Sequence, residues 1–450
     1  MRVVVVGLAG TGAVVVDDAR ARGDDVVVLD DRPNGDAYLA RARRARAVGA
    51  VVIESPSADE AALAVDGADL VVPSPGVRPD HPTVAAGLAA GVPVRSEVDV
   101  AMERLAARPD APRVVAVTGT NGKTTVTSMV AAMADAGGVR SAAVGNIGRP
   151  LLDAVDDPVD VLVVEVSTFQ LEFTTEAFAP DVAVLLNIGR DHIDWHGSVD
   201  AYARAKGKVF AHQRPQQVLV ANIDDHEVRA LVSAATGRVA TCSRVDEHAT
   251  FRATSTTIGD ATIVGPGLEI ALPVFRAVHD VDNALAAAAA AIEIGTAPDA
   301  IERTLAEWTP LPHRMQLVAT IDGVEFVDDS KATNAHATTS VLGGLHDVVL
   351  LAGGLDRSRD LGALRPYADR LRAVVAIGDA APTIEAVFAD AVPVVRAASM
   401  RDAVRAAAAR AHDGDTVLLS PACASFDWYS GYAERGDDFA REVESLRSVS

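Results

Sequence analysis

The stretch AVTGTNGKTTVTSMV, residues 116–130, decides how the chain is read. It ends as a phosphate-binding loop ends, with Gly122-Lys123-Thr124, but it begins differently. The usual G-x-x-x-x-G-K-[ST] spacing puts a first glycine where this chain has Val117. The loop is compressed to Gly119-Thr120-Asn121-Gly122. Val114 to Val117 reads as a buried strand. Lys123 to Asp135 reads as the following helix, with Gly137 and Gly138 as stop signals. A glycine turn between strand and helix aims backbone N–H groups at an anion, and the helix N-terminus adds positive potential. Lys123 would then reach the terminal phosphates of a nucleotide, and Thr124 would hold Mg²⁺. The bland alternative is a plain strand-to-helix turn.

Outward from this loop, valine-rich runs alternate with alanine-rich helical stretches along all 450 residues. That alternation predicts an α/β protein with parallel sheets, in three blocks. Residues 1–96 form a Rossmann-like N-terminal domain, with strands at RVVVVG and DDVVVLDD around the turn GLAGTG. Residues 97–311 form a central P-loop ATPase-type domain with a parallel sheet. Residues 312–450 form a second Rossmann-like α/β domain, with strands at VEFVDDS, VVLLAGG, AVVAIGD and TVLLSPA.

Composition narrows the function. Hydrophobic residues make up 49% of the chain and aromatics 4%, so Val and Ala fill the cores. A net charge of −21 argues against a nucleic-acid partner, which needs basic surface. The only cysteines, Cys242 and Cys423, argue against a disulfide-stapled secreted fold. No signal-peptide pattern opens the chain. The apolar run Ala284–Ile292 is shorter than the roughly 20 residues that a bilayer span needs. The expectation is a cytoplasmic protein with no membrane partner.

Several polar residues stand where strands should end. Glu165 closes the run VDVLVV, and a carboxylate there is costly to bury unless it is paired or binds metal. Ligands also gather at the carboxyl ends of parallel strands, so Glu165 is a candidate Mg²⁺ ligand. VAVLLN ends at Asn187, which puts Asp191 and His192 just past a sheet edge. His192 alone is a weak signal for Mg²⁺, which prefers oxygen. Asn283 and His279 open an alanine-rich helix and could be caps. Arg314, where the second block yields to the third, could clamp a transferring phosphoryl group or form an interdomain ion pair. In the first block, GLAGTG has the G-x-G-x-x-G spacing with Ala9 in the middle, and Asp30 ends the next strand. Read alone, this is an NAD-binding pattern, so an oxidoreductase with an accessory ATPase domain is the competing hypothesis.

Taken together, GTNGKTT (119–125), Glu165 before Ser167-Thr168-Phe169-Gln170, and Asp191-His192 resemble the Mur ligase superfamily. Its members are ATP-dependent, amide-forming enzymes of cell-wall precursor and polyglutamate synthesis. FVDDSKATN (326–334) and LLSPACASFDWYSGYAERG (418–436) resemble the branch that adds D-glutamate. The resemblance covers nearly the whole chain, with all three blocks in order, and so outweighs the NAD reading. A folylpolyglutamate ligase fits less well, because its first block is not a separate Rossmann-like domain. A non-catalytic relative is a further alternative.

The resemblance implies a monomer that joins D-glutamate to UDP-N-acetylmuramoyl-L-alanine through an acyl phosphate, using ATP and two Mg²⁺ ions. It implies catalytic roles for Lys123, His192, Lys206 and Arg314. Lys206 would be carbamylated, and Lys208 is the competing position. The metals would lie at Thr124, Glu165, His192 and Lys206. ATP would contact Gly119 to Thr125, Asn283, Arg314 and Asp329. The UDP-sugar would contact Gly10, Thr11, Asp31, Arg32, Ser74-Pro75-Gly76 and Asn146. D-Glutamate would contact Lys331, Thr333, Arg357, Ser425 and Tyr432. Relatives carry a lysine where this chain has Arg357. Arginine also pairs with carboxylate, but as a planar fork.

Overall fold

The computed structural model describes residues 1–254, 261–272, 278–357 and 360–447. Three sheets account for the strands. The first holds β1 (Arg2–Val6), β2 (Asp25–Asp30), β3 (Val51–Glu54) and β4 (Leu70–Pro73), in the order β3-β2-β1-β4 and all parallel. In this order the connections leave β1 in opposite directions. A crevice therefore opens at the carboxyl ends of β1 and β4, where such sheets bind ligands.

The second sheet holds β5 (Arg113–Thr118), β6 (Ser141–Gly145), β7 (Val161–Glu165), β8 (Val182–Leu185), β9 (Val218–Asn222) and β10 (Arg238–Ser243). It continues through β11 (Phe251–Ala253), β12 (Thr262–Gly265) and β13 (Leu268–Ala271). Its order is β13-β12-β11-β10-β9-β8-β5-β7-β6. The sheet is parallel from β6 to β11, but β12 and β13 run as an antiparallel edge. That edge departs from a purely parallel sheet for a local reason. Only Pro266 and Gly267 join β12 to β13, and so short a link can connect only antiparallel strands. The P-loop strand β5 lies between β7 and β8, with Val117 opposite Glu165 and Thr118 opposite Leu185. The P-loop helix, Lys123–Ala136, packs against the helix Val278–Glu293. Ala284 and Ala286–Ala291 are buried there, and their small side chains allow the close approach.

The third sheet holds β14 (Gln316–Ile321), β15 (Val324–Asp328), β16 (Val348–Gly353), β17 (Leu371–Ile377), β18 (Val394–Arg396) and β19 (Thr416–Leu419). The order is β14-β15-β19-β16-β17-β18, parallel except for the β14–β15 hairpin. Its two-residue turn has Asp322 at φ +50 and Gly323 at φ +77, the positive-φ pair that suits the twist of a tight hairpin.

The helix Glu97–Ala106 joins the first sheet to the second. Val98, Ala101 and Leu105 lie in one apolar cluster with Val15 of the first sheet's layer and Leu152 of the second's. Glu97 is buried in that seam, and its Oε1 accepts the Leu152 N–H at 2.6 Å. Burial pushes its carboxyl up to about 7. The raised value means that the folded chain gains from protonated Glu97 below about pH 4.5, and that this gain is lost as pH rises through about 7. Glu97→Gln should flatten this dependence and raise stability at neutral pH, by on the order of 3 kcal/mol for a shift of this size. Denaturant melts of both proteins across pH 4.5–8 check this.

Candidate active site

The P-loop is braced before any ligand is considered. Thr118 Oγ1 donates to the Val166 carbonyl at 2.8 Å. The Thr120 N–H donates to the Asn187 carbonyl, and the Gly189 N–H donates to Thr120 Oγ1 at 2.8 Å. Asn121 and Asn187 exchange hydrogen bonds: Asn121 N–H to Asn187 Oδ1 at 2.9 Å, and Asn187 Nδ2 to the Asn121 carbonyl at 3.2 Å. Asn187, at the end of β8, thus does part of what the longer loop does elsewhere. Gly122 turns the chain into the helix at φ +83, and a Cβ there would collide with Asn283 Oδ1. The Lys123 ammonium curls back onto the Gly119 and Thr120 carbonyls, at 2.8 and 2.9 Å.

Glu165 is 3% exposed. Its Oε1 accepts from Asn146 Nδ2 at 2.7 Å, while Oε2 is buried without a hydrogen-bond partner. Asn146 therefore sits at the Glu165 carboxylate. Lys206 is 1% exposed, with its ammonium 4.6 Å from the centre of the Tyr202 ring. Desolvation drives the Lys206 amine well below the usual lysine value, and the nearby charge of Lys123 adds to this. Lys208, the competing lysine, is an ordinary ion-paired residue, 3.0 Å from Glu172. His192 has a left-handed backbone, φ +52, and a ring tilted against Phe169 at 4.8 Å. Burial lowers its pKa, with Lys123 and Lys206 adding to the effect and Asp191 opposing it. The balance favours the neutral imidazole.

The third block closes over the loop. His336 Nδ1 accepts from Asn121 Nδ2 at 2.7 Å, and Asn334 Nδ2 donates to Asp191 Oδ2 at 3.2 Å. A cavity of about 250 Å³ lies in this seam, lined by Gly122, Asn283, Arg314, Asp329, Lys331 and His336 among others. Asp329 accepts from Ser420 Oγ at 2.8 Å, and burial raises its carboxyl to about 7. Lys331 is lowered to about 8 by burial and by the charge of Arg314, and it lies 3.8 Å from the Tyr432 ring centre. Thr333 donates its N–H to the Lys331 carbonyl. Ser425 is buried. Arg357 is exposed, with its guanidinium 4.9 Å from the Phe426 ring.

A second cavity, about 580 Å³, sits at the crevice of the first sheet. Asp31, Arg32, Pro75 and Gly76 line it. Gly10 and Thr11 begin the adjacent helix outside this lining, and Ser74 Oγ donates to the Gly7 carbonyl at 2.9 Å. Asp30 accepts the N–H of Leu8 on one oxygen and that of Arg32 on the other, at 2.6 and 2.8 Å. It clamps the two loops together at the wall of this cavity, which it also lines.

Residues 1–96 match the MurD-like N-terminal domain of Mur ligases, 117–291 the Mur ligase middle domain, and 313–423 the Mur ligase glutamate ligase domain. The UDP-N-acetylmuramoylalanine–D-glutamate ligase of Thermobifida fusca is 42% identical, over 99% of this chain and 98% of its own. That of Frankia casuarinae is 43% identical, over 98% and 94%. The chain belongs to the Mur ligase family. Solved Mur-type structures share its fold. MurF from Acinetobacter baumannii gives a TM-score of 0.65 at 18% identity, covering 98% of this chain and 93% of that one. A pseudomurein peptide ligase from Methanothermus fervidus gives 0.64 at 18%, covering 99% of both.

This Mur ligase also uses groups that no local pattern announces. Arg435, 1% exposed, donates Nε to Ser330 Oγ, one terminal nitrogen to the Ser330 carbonyl and the other to the Cys423 carbonyl, at 2.8–3.0 Å. It pins the Ser330-Lys331 turn to the loop after β19. Asn334 and His336 are likewise visible only once the third block docks on the P-loop. Arg435→Met leaves two buried carbonyls without these donors, at about 1–3 kcal/mol each. The expected result is a lower melting temperature for the variant, read by calorimetry.

Proposed function

We propose that this Mur ligase joins D-glutamate to the terminal carboxylate of UDP-N-acetylmuramoyl-L-alanine, converting ATP to ADP and phosphate, in the cytoplasm and as a monomer. The observation that carries the reading is the end-to-end match to curated relatives that bear this ligase name, at 42–43% identity. The proposed division of labour assigns the UDP-sugar to residues 1–96, ATP to 97–311 and the amino acid to 312–450. Among the described residues no helix is long and apolar enough to cross a membrane.

A carboxylate is a poor electrophile for an amine. Transfer of the γ-phosphoryl group to one of its oxygens makes an acyl phosphate, whose phosphate can leave. The amine of D-glutamate attacks the acyl carbon, loses a proton and displaces inorganic phosphate, leaving an amide. In this scheme the backbone of residues 119–122 cradles the phosphates, and Lys123 turns from the Gly119 and Thr120 carbonyls to the transferring group. Arg314 and Lys331 face the same cavity from the third block. Asn283 would meet the adenine. Lys331, Thr333, Arg357 and Ser425 would hold the carboxylates of D-glutamate beside Tyr432. Docking of Asn334 and His336 on the P-loop would keep water from the acyl phosphate.

The donor set fits magnesium. Glu165 Oε2 is buried and unmatched, Thr124 stands in the first turn of the P-loop helix, and burial favours the neutral His192 imidazole. Among the described residues no three His, Cys, Asp or Glu side chains form a metal cluster, so phosphate oxygens and a modified Lys206 would complete the set. A charged Lys206 would repel the ion. Burial favours its uncharged amine, the form that would add CO₂ with loss of a proton, and the resulting carbamate would offer oxygen to the ion. Bound Mg²⁺, in the proposed number of two, would neutralise charge on the phosphoryl oxygens.

Three measurements follow from this chemistry. Phosphate release in the presence of UDP-N-acetylmuramoyl-L-alanine should require D-glutamate. Equal rates with L-glutamate, L-alanine or a diamino acid would remove the assignment. Lys123→Ala should lose on the order of 10²–10³ in rate with its melting temperature retained. Near-normal release would show that Lys123 does not serve the phosphates. Lys206→Ala should be nearly inactive and partly restored by acetate, which can fill the carboxylate position. Wild-type activity in that variant would place Lys206 outside the metal site.

A further inference from the structure

A short element that runs on from His192 touches two residues of the N-terminal cavity's lining. Ile193–His196 is a four-residue helix that follows His192 directly, and none of its residues is buried. It lies between two left-handed residues, His192 at φ +52 and Gly197 at φ +81. Ile193 packs against the main apolar cluster and the His196 ring meets Tyr202 edge-on at 5.3 Å, while Asp194 between them is exposed. On one side the Phe169 ring meets His192 at 4.8 Å, Trp195 at 5.1 Å and His196 at 6.2 Å. Phe169 stands four residues after Glu165, so this ring ties the segment to the end of β7.

On the other side the segment is held by the first block. The Trp195 indole Nε1 donates to the Gly76 carbonyl at 3.1 Å, and an Arg78 guanidinium N–H donates to the Asp194 carbonyl at 2.8 Å. Gly76 and Arg78 both line the 580 Å³ cavity. Gly76 has φ +92, in a loop that projects from the end of β4. Any ligand that settles this loop also settles the two groups that hold the helix after His192.

We infer that Trp195 and Arg78 are positioning residues that couple occupancy of the N-terminal cavity to the orientation of His192. The inference rests on the proposed function, in which the UDP-sugar fills that cavity and His192 serves the phosphoryl-transfer centre. Binding the sugar nucleotide stiffens residues 74–78, and through the two hydrogen bonds it stiffens 192–196. The centre is then complete only when an acceptor is present, which limits idle ATP hydrolysis. Coupling of this kind is reciprocal, so a cation held near His192 tightens the sugar nucleotide by the same factor.

The test uses the full chain with a saturating non-hydrolysable ATP analogue. Mn²⁺ affinity is measured by electron paramagnetic resonance with and without UDP-N-acetylmuramoyl-L-alanine, in the wild type, Trp195→Phe, Arg78→Met and the double variant. Arg78→Lys, which keeps a donor, is the conservative control. The wild-type ratio of affinities should exceed that of the double variant by about 5-fold or more, with Arg78→Lys close to wild type. Equal ratios overturn the inference, including the case in which the double variant binds both ligands more weakly but in unchanged proportion. Failure of the wild type to bind the sugar nucleotide would instead contradict the proposed function.

Discussion

Four lysine and arginine side chains gather round one buried carboxylate in a protein whose net charge is −21. Lys123, Lys206, Arg314 and Lys331 all feel the charge of Glu165, and each is pushed toward its neutral form by burial. Glu165 offers one oxygen to Asn146 and leaves the other unmatched. Buried charge without compensation is costly, so this arrangement persists only because the fold holds it and a ligand can relieve it. A polyphosphate with its cations is such a ligand: it supplies negative charge to Lys123, Arg314 and Lys331 and positive charge to the open carboxylate oxygen.

The fold meets this demand by bringing loop ends together. Glu165 and the P-loop come from adjacent strands of one sheet, opposite each other in register. His192 and Asp191 follow the strand on the other side. Arg314, Asp329 and Lys331 arrive from the edge of the third sheet, where Asp329 directly follows β15. The seam between the second and third sheets is sealed by Asn121–His336 and Asp191–Asn334, contacts that join residues of the P-loop and its neighbouring loop to the third block. Gly189 matters here because it has no side chain: a Cβ would run into the His336 ring.

Much of this was legible in the sequence, for a physical reason. Strand–loop–helix units leave local traces, and the P-loop, Glu165 and the run from Asn187 to His192 each sit where a valine-rich strand stops. The antiparallel edges were less legible, because β12 and β13 have only four residues each and the β12–β13 and β14–β15 pairings are set by two-residue turns. Asp30 shows how position alone leaves two readings open: at the end of β2 it stands where a ribose acid would, and in the fold its oxygens also accept the Leu8 and Arg32 N–H groups at the cavity wall. Arg435 was invisible, since an arginine amid acidic residues near the chain end reads as a solvated charge until its three buried acceptors are seen. Trp195 and Arg78 were equally hidden, because their partners lie 119 and 116 positions away.

The central claim is that the site uses ATP to activate a carboxylate, and one isotope experiment addresses that chemistry directly. UDP-N-acetylmuramoyl-L-alanine labelled with ¹⁸O in its alanyl carboxylate is turned over with ATP and D-glutamate, and the released phosphate is analysed by mass spectrometry. An acyl phosphate passes one carboxylate oxygen to phosphate, so each phosphate should carry one ¹⁸O. Unlabelled phosphate formed alongside the amide product would contradict the account.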